Sequence, residues 1–454
     1  MPTRSRRDPA ERGETAWVLA GRAFYGGRIQ PLELAIDPEG FIVRVGRDLH
    51  GPRRHDVGDR LILPAATDLH VHFRDPTDVA LGESWGTGTV QAALGGVGLV
   101  GEMPNASPPV DRLERLLERR DAGRGRLAVD MLLYAQLTSP RRVAALSEEC
   151  GGFKLYLAPT TGIDPSDEAE EPLGPRLDAV AASGLPLSVH AEDPRAFREG
   201  APPSNSADWS NRRPEDAERA AVESVRAAAP PGLRLNFAHV TVPDVADLLR
   251  VERLAFEVTP HHLLLAARSD DDSGRKVNPP LRPEPVRRAL FERFARGEVP
   301  FLASDHAPHP LEAKQRPFAL APSGMPGVAT LLPLLLAQVR SGTVPLPVLV
   351  AAACDRPARW LGVPMGRLAP GHRAHLIVVD PRVRTVVDVA RLGTRCGWSA
   401  FAGQEAVFPL EHFRDGELIV QAGEYVGRPT GRFVRPEYAP LRRERGLFPS
   451  VRPE

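Results

Sequence analysis

Residues 63–73 read LPAATDLHVHF, an apolar run that ends in two histidines separated by one valine. His70 and His72 alternate with Val71, so both imidazole rings point to the same side if this segment is a β-strand. Two imidazoles on one face are a natural pair of zinc ligands. Such pairs also occur without metal, so the motif alone does not establish a metal site.

Seven further strand-like runs follow, and each is succeeded by a helical or long connecting segment, such as residues 111–123 and 214–229. Eight such units in roughly 300 residues predict a (β/α)8 barrel, a fold that typically needs about 250 residues. The alternative, an open doubly wound α/β sheet, would carry a glycine-rich phosphate-binding turn after its first strand, and the sequence has none there. The seven runs are VGLVGEMPN (97–105), AVDMLLYAQL (128–137), GFKLYLAP (152–159), PLSVHAED (186–193), RLNFAHV (234–240), AFEVTPHHL (255–263) and VPFLASDHAPH (299–309).

The hydrophobic pattern at both ends of the chain differs from that of the middle. Residues 15–63 and the segment from about 366 contain short alternating runs separated by glycine and proline, which predict small antiparallel strands. We therefore expect an α/β protein in three parts. Residues 1–63 and 366–454 would form a small β-sandwich domain with a C-terminal tail, and residues 64–365 would form the (β/α)8 barrel of a metal-dependent hydrolase.

Composition excludes several classes of partner. The 58 Lys and Arg residues balance 58 Asp and Glu residues, so there is no general attraction to nucleic acid or an anionic membrane. Cys150, Cys354 and Cys396 are scattered and odd in number, which suits a reducing cytosol better than a disulfide framework. The charged start (1–14) has no apolar signal core, and the apolar run 330–339 is too short to span a bilayer. We expect a cytoplasmic protein with neither a nucleic-acid nor a membrane partner.

Polar residues gather at the ends of the predicted strands. His190 ends strand five, His239 ends strand six and Asp305 closes strand eight. The carboxyl ends of barrel strands converge on one face, so these side chains become neighbours of His70 and His72. Singly, each histidine is more often a hydrogen-bonded strand residue than a ligand, and Asp305 fits a helix cap equally well. Their shared position at strand ends favours a metal site.

Lys154 lies in the middle of the apolar run 152–159, although lysine is almost never fully buried without a partner. It is one of only three lysines in an arginine-rich chain, with Lys276 and Lys314. Two metal sites built from four histidines and one aspartate need a bridging anion, and strand four has no Asp or Glu near its end. A lysine amine can react with carbon dioxide to give a carbamate, an anionic ligand with two oxygens. The alternative is a lysine that reaches past the strand end to solvent.

The order and content of these motifs resemble the dihydroorotases, members of the cyclic amidohydrolase group. The similarity runs through the whole predicted barrel and into the flanks. It is carried by DLHVHFRDP (68–76), GEMPN (101–105), FKLYLAPT (153–160), SVHAED (188–193), FAHV (237–240), VTPHHL (258–263), KVNPPLR (276–282), ASDHAPH (303–309), PSGMPG (322–327) and WSAFAGQEA (398–406).

The resemblance implies a binuclear zinc site with carboxylated Lys154 as the bridge. The first zinc would be bound by His70, His72 and Asp305, and the second by His190 and His239. The residues that match the family's substrate contacts are Arg74, Asn105 and His309 for the carboxylate, and Asn278, Ser323 and Gly324 for the ring. Thr160 matches a loop that can close over substrate.

The implied activity is the reversible cyclisation of N-carbamoyl-L-aspartate to (S)-dihydroorotate in de novo pyrimidine (UMP) biosynthesis. In the hydrolytic direction, two zinc ions lower the pKa of a shared water, and the bridging hydroxide attacks the ring amide carbonyl. Asp305 would accept the proton and pass it to the leaving ring nitrogen. Arg74 lies two residues beyond His72 and so faces the same side, where its guanidinium can bind the substrate carboxylate through two hydrogen bonds.

The sequence departs from the family pattern in places. The turn FRDPT (73–77) replaces a more frequent Glu and Gly, so we expect that turn to differ slightly. Lys154 stands where many bacterial relatives have aspartate. Ala238 stands where a cysteine would hold a third metal, and we expect no third metal. Glu192 and His262 lie near strand ends, where side chains that orient ligands are found, but the sequence assigns neither a role.

Other functions remain open at this point. Allantoinase and dihydropyrimidinase or hydantoinase share the barrel and the metal site, but the carboxylate-binding set of Arg74, Asn105 and His309 favours dihydroorotase. A non-catalytic dihydroorotase-like subunit of aspartate transcarbamoylase would lack the metal ligands, whereas this chain keeps every one. We expect a homodimer that acts on a small-molecule substrate, and the sequence leaves open a complex with aspartate transcarbamoylase.

Overall fold

The computed structural model describes residues 14–75, 83–164, 172–270 and 272–436. Four strands precede the barrel. The first pairs antiparallel with the second and parallel with the fourth, and the third extends the sheet beyond the second. These strands are β1 (Trp17–Tyr25), β2 (Arg28–Ile36), β3 (Ile42–Gly46) and β4 (Arg54–Pro64).

Eight parallel strands follow at the positions that the sequence predicts, and each pairs with the next in chain order. The sheet closes where Val71 bridges His306, and the backbone N–H of His72 donates to the His306 carbonyl at 2.7 Å. Every residue of the eight strands is buried, as expected for parallel strands covered on both faces. The predicted (β/α)8 barrel is confirmed. Its strands are β5 (Ala66–Val71), β6 (Val97–Glu102), β7 (Asp130–Gln136), β8 (Gly152–Tyr156), β9 (Leu187–His190), β10 (Leu235–Phe237), β11 (Ala255–Val258) and β12 (Phe301–Leu302).

Helices connect the barrel strands, and the two helical segments named in the sequence analysis correspond to α2 (Leu113–Gly123) and α6 (Glu215–Ala228). In α6, Ala217, Ala221, Val222 and Val225 are buried at helical spacing, so this helix presents one apolar face to the core. The helices are α1 (Trp85–Leu94), α2 (Leu113–Gly123), α3 (Pro140–Ser147), α4 (Leu173–Ser183), α5 (Ser206–Arg212), α6 (Glu215–Ala228), α7 (Pro243–Val251), α8 (Pro260–Leu264), α9 (Glu284–Ala295), α10 (Leu311–Lys314), α11 (Leu331–Arg340), α12 (Leu346–Val350) and α13 (Arg356–Leu361). None of the helices in the described ranges has the length and apolar character that a membrane-spanning segment needs.

The C-terminal strands complete the flanking sheet that the first four strands begin. Its order is β18-β17-β16-β13-β4-β1-β2-β3. Both ends of the chain therefore build one β-structure, as the sequence predicts, and they do so as one eight-stranded sheet. The predicted domain boundaries after residues 63 and 365 remain predictions, and residues 437–454 of the predicted tail lie outside the described residues. The added strands are β13 (Leu376–Val379), β16 (Glu411–Arg414), β17 (Glu417–Gln421) and β18 (Glu424–Tyr425), with β14 (Thr385–Val386) and β15 (Glu405–Ala406) as a separate pair.

Strand β13 shows how the flanking sheet attaches to the barrel. Alternate side chains of a strand point to opposite faces. Ile377 and Val379 join the large apolar core that includes the barrel, whereas Leu376 and Val378 join the separate core of the flanking sheet. All four residues are fully buried. The sheet therefore has apolar contacts on both faces and holds the barrel from one side.

A charged cluster near the turn after β16 also joins the flanking sheet to the barrel. Asp415 accepts hydrogen bonds from Arg373 Nη1 at 2.8 Å and from His375 Nε2 at 3.0 Å. Neighbouring Arg414 donates to Asp130, the first residue of barrel strand β7, at 3.2 Å. Burial alone would raise the pKa of the Asp415 carboxyl, but the hydrogen bond with His375 and the nearby charges of Arg373 and Arg432 hold that pKa well below its usual range.

Candidate active site

Three predicted ligands converge at the carboxyl ends of the first and last barrel strands. His72 Nε2 lies 3.1 Å from both His70 Nε2 and Asp305 Oδ1, and His70 Nε2 lies 3.4 Å from the same carboxylate oxygen. All three side chains are buried. Among the described residues, this is the only group of three His, Cys, Asp or Glu side chains whose ligand atoms converge in this way.

Hydrogen bonds on the far side of each ring explain why these nitrogens face one another. His70 Nδ1 lies 2.5 Å from Glu257 Oε1, and His72 Nδ1 lies 2.5 Å from Asn105 Oδ1. Because a carboxylate or amide oxygen can only accept, each Nδ1 carries the proton and each Nε2 keeps a lone pair. Three electron-pair donors that face one point, without a proton to share, suit a bound cation. The donor set therefore fits a metal ion.

A second histidine pair lies beside the first. His190 Nδ1 lies 3.1 Å from His239 Nε2, and the His239 ring centroid is 5.3 Å from that of His70. On its other side His190 Nε2 donates to Glu192 at 2.9 Å, so in this ring the lone pair is on Nδ1, the reverse of the arrangement in His70 and His72. Glu192 in turn accepts a hydrogen bond from Arg213 Nε at 3.0 Å. Glu192, which the sequence left without a role, thus orients a candidate ligand.

Lys154 is completely buried in strand β8, with Nζ 3.4 Å from His70 Nε2. It does not reach past the strand end to solvent. Burial lowers the pKa of its amine to about 8. Its positive charge contributes to the lowered pKa of His70, His190 and His239, so its influence extends to both histidine pairs.

Electrostatics keep the candidate ligands in the protonation states that metal binding requires. Burial lowers the pKa of His70 to about 4 and that of His239 well below its usual value, so both rings are neutral. Burial alone would raise the pKa of Asp305, but the positive charge that His70, His72 and His239 carry when protonated outweighs it and holds that pKa well below the usual range. Neutral imidazoles and an ionised carboxylate are the forms that bind metals.

The backbone is strained at three candidate site residues. Arg74, His239 and Asp305 have φ angles of 61°, 41° and 46°, in the left-handed region that residues other than glycine rarely occupy. Strand β10 ends at Phe237 and β12 at Leu302, so His239 and Asp305 lie in loops just past strands that are shorter than the predicted runs. Such strain is commonly concentrated at functional sites.

Most of the predicted substrate contacts line a pocket above the histidines. Arg74 is 2% exposed, and its Nη1 donates to the Pro308 carbonyl at 3.2 Å. His309 is not among the residues that line the pocket. It lies behind Ser323, and its Nε2 donates to the Ser323 carbonyl at 3.0 Å. Residues 76 and 77 of the predicted divergent turn lie outside the described residues. The predicted residues that line the pocket are His70, His72, Arg74, Asn105, Lys154, His190, His239, Asn278, Asp305, Ser323 and Gly324, with Thr160 of the closing loop.

Several further residues of the site were not singled out from the sequence. Tyr156 and Thr161 line the pocket, and Thr161 Oγ1 donates to the Ser323 carbonyl at 2.9 Å. Glu257 holds His70 and accepts from Asn236 at 2.9 Å. A buried glutamate in the middle of the apolar run 255–263 was the available signal for this role. His262 instead bonds Thr259 and the Pro279 carbonyl, at 2.9 and 3.0 Å.

Solved structures with the same architecture include hydantoinases and dihydropyrimidinases. The L-hydantoinase (dihydropyrimidinase) of Arthrobacter aurescens superposes with a TM-score of 0.83 at 25% identity, over 93% of this chain and 100% of that one. The dihydropyrimidinase of Brevibacillus agri shares the fold, with a TM-score of 0.82 at 21% identity over 93% and 99% of the two chains. This likeness places the chain in the class of cyclic amide hydrolases, and its His–His–Asp group fits a metal-dependent amidohydrolase.

Similarity to curated proteins identifies the family within this class. Dihydroorotases of Methanosarcina mazei and Halobacterium salinarum are 32% and 34% identical, over 91% and 92% of this chain and 96% and 99% of theirs. A dihydroorotase of Geobacillus sp. is 30% identical over 87% of this chain and 96% of its own. No family model matches the sequence. The chain belongs to the dihydroorotase family.

Proposed function

We propose that this chain catalyses the reversible cyclisation of N-carbamoyl-L-aspartate to (S)-dihydroorotate, a step of de novo pyrimidine (UMP) biosynthesis. The observation that carries the proposal is a buried guanidinium beside a metal-binding group. Arg74 lies in the wall of the pocket that holds His70, His72 and Asp305. A cyclic amide that bears a carboxylate fits this combination, because the guanidinium can bind the carboxylate while the amide faces the histidines.

We propose that two zinc ions occupy the site. His70, His72 and Asp305 would hold the first, and His190 and His239 the second. The second pair has only two ligand side chains, so an anion on Lys154 would supply the third ligand of that site and the link between the two. A carbamate formed from carbon dioxide gives that anion. When bound, the zinc ions would lower the pKa of a water molecule and polarise the amide carbonyl.

The residues of the chain have separate tasks in this proposal. Asp305 would accept a proton on its carboxylate and return it to the ring nitrogen that leaves. Arg74, Asn105 and His309 would hold the substrate carboxylate, and Asn278 with the Ser323–Gly324 backbone would hold the ring. Asn105 also orients His72, so one amide would link substrate binding to a metal ligand.

Hydantoinase or dihydropyrimidinase activity is the second candidate, because the Arthrobacter aurescens structure covers almost the whole chain at 25% identity. The substrates of those enzymes rely less on a carboxylate clamp. Allantoinase activity is a further alternative, because allantoinases share the barrel and the metal site. A non-catalytic subunit of aspartate transcarbamoylase is disfavoured by the intact set of candidate ligands.

A substrate panel separates these functions. Purified protein loaded with zinc should hydrolyse dihydroorotate and leave dihydrouracil, hydantoin and allantoin almost untouched. Arg74→Lys keeps the charge but loses the planar two-pronged contact, so the KM for dihydroorotate should rise at least tenfold. Arg384→Lys, at an exposed position, is the matched control. Hydrolysis of hydantoin or allantoin without dihydroorotate would refute the proposal.

We further propose that the protein is cytoplasmic and forms a homodimer. A complex with aspartate transcarbamoylase is a separate proposal, which co-purification of the two proteins would test. The three cysteines are free and buried, which supports a reducing compartment. The formal net charge of zero supports the absence of a nucleic-acid partner.

A further inference from the structure

Lys276 and Lys314 are buried, with exposed fractions of 5% and 4%, and neither belongs to the metal group. Each ammonium donates to main-chain carbonyls of one short segment, residues 318–324. This segment carries Ser323 and Gly324, which line the pocket. The two lysines therefore contact the pocket wall from behind.

Lys276 holds the first half of the segment. Its Nζ donates to the carbonyls of Phe318, Ala319 and Ala321 at 2.8, 3.1 and 2.8 Å. The ammonium also lies 4.8 Å from the ring centroid of Trp209. Three acceptors match the three hydrogens of one ammonium, so this side chain is fully satisfied without solvent.

Lys314 holds the second half in the same manner. Its Nζ donates to the carbonyls of Pro322 and Gly324 at 2.9 Å each, and to the carbonyl of Lys276 at 3.2 Å. The Lys276 carbonyl also accepts the backbone N–H of Gly324 at 2.9 Å. The two lysines are thus joined through one carbonyl oxygen into a single unit.

Two tryptophans connect this unit to predicted substrate contacts. The Trp209 indole N–H donates to Asn278 Oδ1 at 3.1 Å, beside Lys276. The Trp398 indole lies 5.5 Å from Lys314 Nζ and donates to the His309 carbonyl at 2.8 Å. Each lysine is therefore paired with a tryptophan that positions one side of the pocket.

Gly324 shows how closely the segment is fitted. Its φ of 133° is favourable only for glycine, and an added Cβ would lie 2.5 Å from the Ala307 carbonyl oxygen and 3.0 Å from His309 Nε2. At Gly324 the segment therefore packs directly against Ala307 and His309. The five hydrogen bonds from the two lysines to the carbonyls of this segment oppose its displacement.

We propose that Lys276 and Lys314 are positioning residues for substrate binding: together they fix the 318–324 backbone so that Ser323 and Gly324 meet the cyclic substrate. This rests on the proposed function for the identity of the substrate. Arginine cannot replace them, because a planar guanidinium directs its donors in one plane, whereas the carbonyls surround a point charge.

The test compares Lys314→Met and Lys276→Met with the wild type in zinc-loaded, full-length protein. We expect the KM for dihydroorotate to rise at least tenfold while kcat and the zinc content change less than threefold. Amide hydrogen exchange should accelerate at least tenfold in residues 318–324 and stay unchanged at strand β8. Arg316→Met, at an exposed position in the same loop, is the matched control and should change neither readout.

Trp398→Phe keeps a ring beside Lys314 but removes the donor to His309, and it should reproduce the KM increase if Lys314→Met fails to fold. Unchanged KM and unchanged exchange in folded variants would overturn the proposal, as would a fall in kcat that follows loss of zinc. If the wild type hydrolyses another cyclic amide and not dihydroorotate, the proposed function fails, and KM for that amide then tests the lysines. If the wild type hydrolyses no cyclic amide, the hydrogen-exchange rates of residues 318–324 alone test the role of the two lysines.

Discussion

The amine of Lys154 lies 3.4 Å from Nε2 of His70 inside a fully buried site. Burial lowers the pKa of this amine to about 8, so a substantial fraction is neutral near pH 7.5 and able to react with carbon dioxide. We predict that protein supplied with ¹³C-bicarbonate and zinc shows one carbamate signal by ¹³C NMR. An active, zinc-loaded enzyme with an unmodified amine at residue 154 would contradict this prediction.

Lys154→Ala should lose metal and activity together, because His190 and His239 would then lack a third ligand. Zinc content measured by elemental analysis should fall to at most half of the wild-type value, with activity reduced at least a thousandfold. A short-chain carboxylic acid with bicarbonate should restore part of both. Lys276→Ala is the comparison variant, and its zinc content should stay at the wild-type value.

Asp305→Asn tests the proposed proton transfer. The amide can still bind a metal through its oxygen, but it cannot accept and return a proton. We expect kcat to fall by about 10³-fold, within the usual range for loss of a general acid–base group. Circular dichroism and the thermal midpoint should stay close to those of the wild type. Activity within tenfold of the wild type would assign the proton transfer to another group.

Glu192→Gln tests whether the contact between Glu192 and His190 sets metal affinity. Glu192 accepts from His190 Nε2 at 2.9 Å and is held by Arg213. The neutral amide makes a weaker acceptor and leaves the Arg213 charge unbalanced, so zinc affinity should fall by about 10- to 100-fold. Competition with a chromogenic chelator measures this. Glu199→Gln, at an exposed position, should leave the affinity unchanged.

The lowered pKa of Asp415 predicts how the stability of the fold depends on pH. Its folded-state pKa lies below the usual value of 3.8, so it stabilises the fold above about pH 4 and this contribution is lost as the pH falls further. Asp415→Asn should lower the free energy of unfolding at pH 7 by about 2 kcal/mol. The difference from the wild type should shrink below pH 4. Urea titrations at pH 3 and pH 7 measure it, and an equal loss at both would contradict the prediction.

The barrel could be predicted because each strand is a short apolar run followed by a helix, a pattern visible along the chain. His70, His72, His190 and Asp305 could be placed because the carboxyl ends of such strands meet at one face. Lys154 could be singled out because a cation inside an apolar run is costly. These inferences need only local pattern and the geometry of the barrel.

The partners of these residues could not be predicted in the same way. The contact of Glu257 with His70 and that of Trp398 with His309 join segments far apart in sequence. No spacing rule specifies which loops meet above a barrel. The left-handed φ angles of His239 and Asp305 also lie outside any strand pattern, because tertiary contacts and not local preference impose them.

All three lysines of the chain, Lys154, Lys276 and Lys314, are buried. The folded protein therefore offers no lysine side chain to amine-reactive cross-linkers, to acylating reagents or to a lysine-specific endoprotease. Cleavage by such a protease would require the segments around the pocket to open first. Its rate would report on the opening of the catalytic centre without any introduced label.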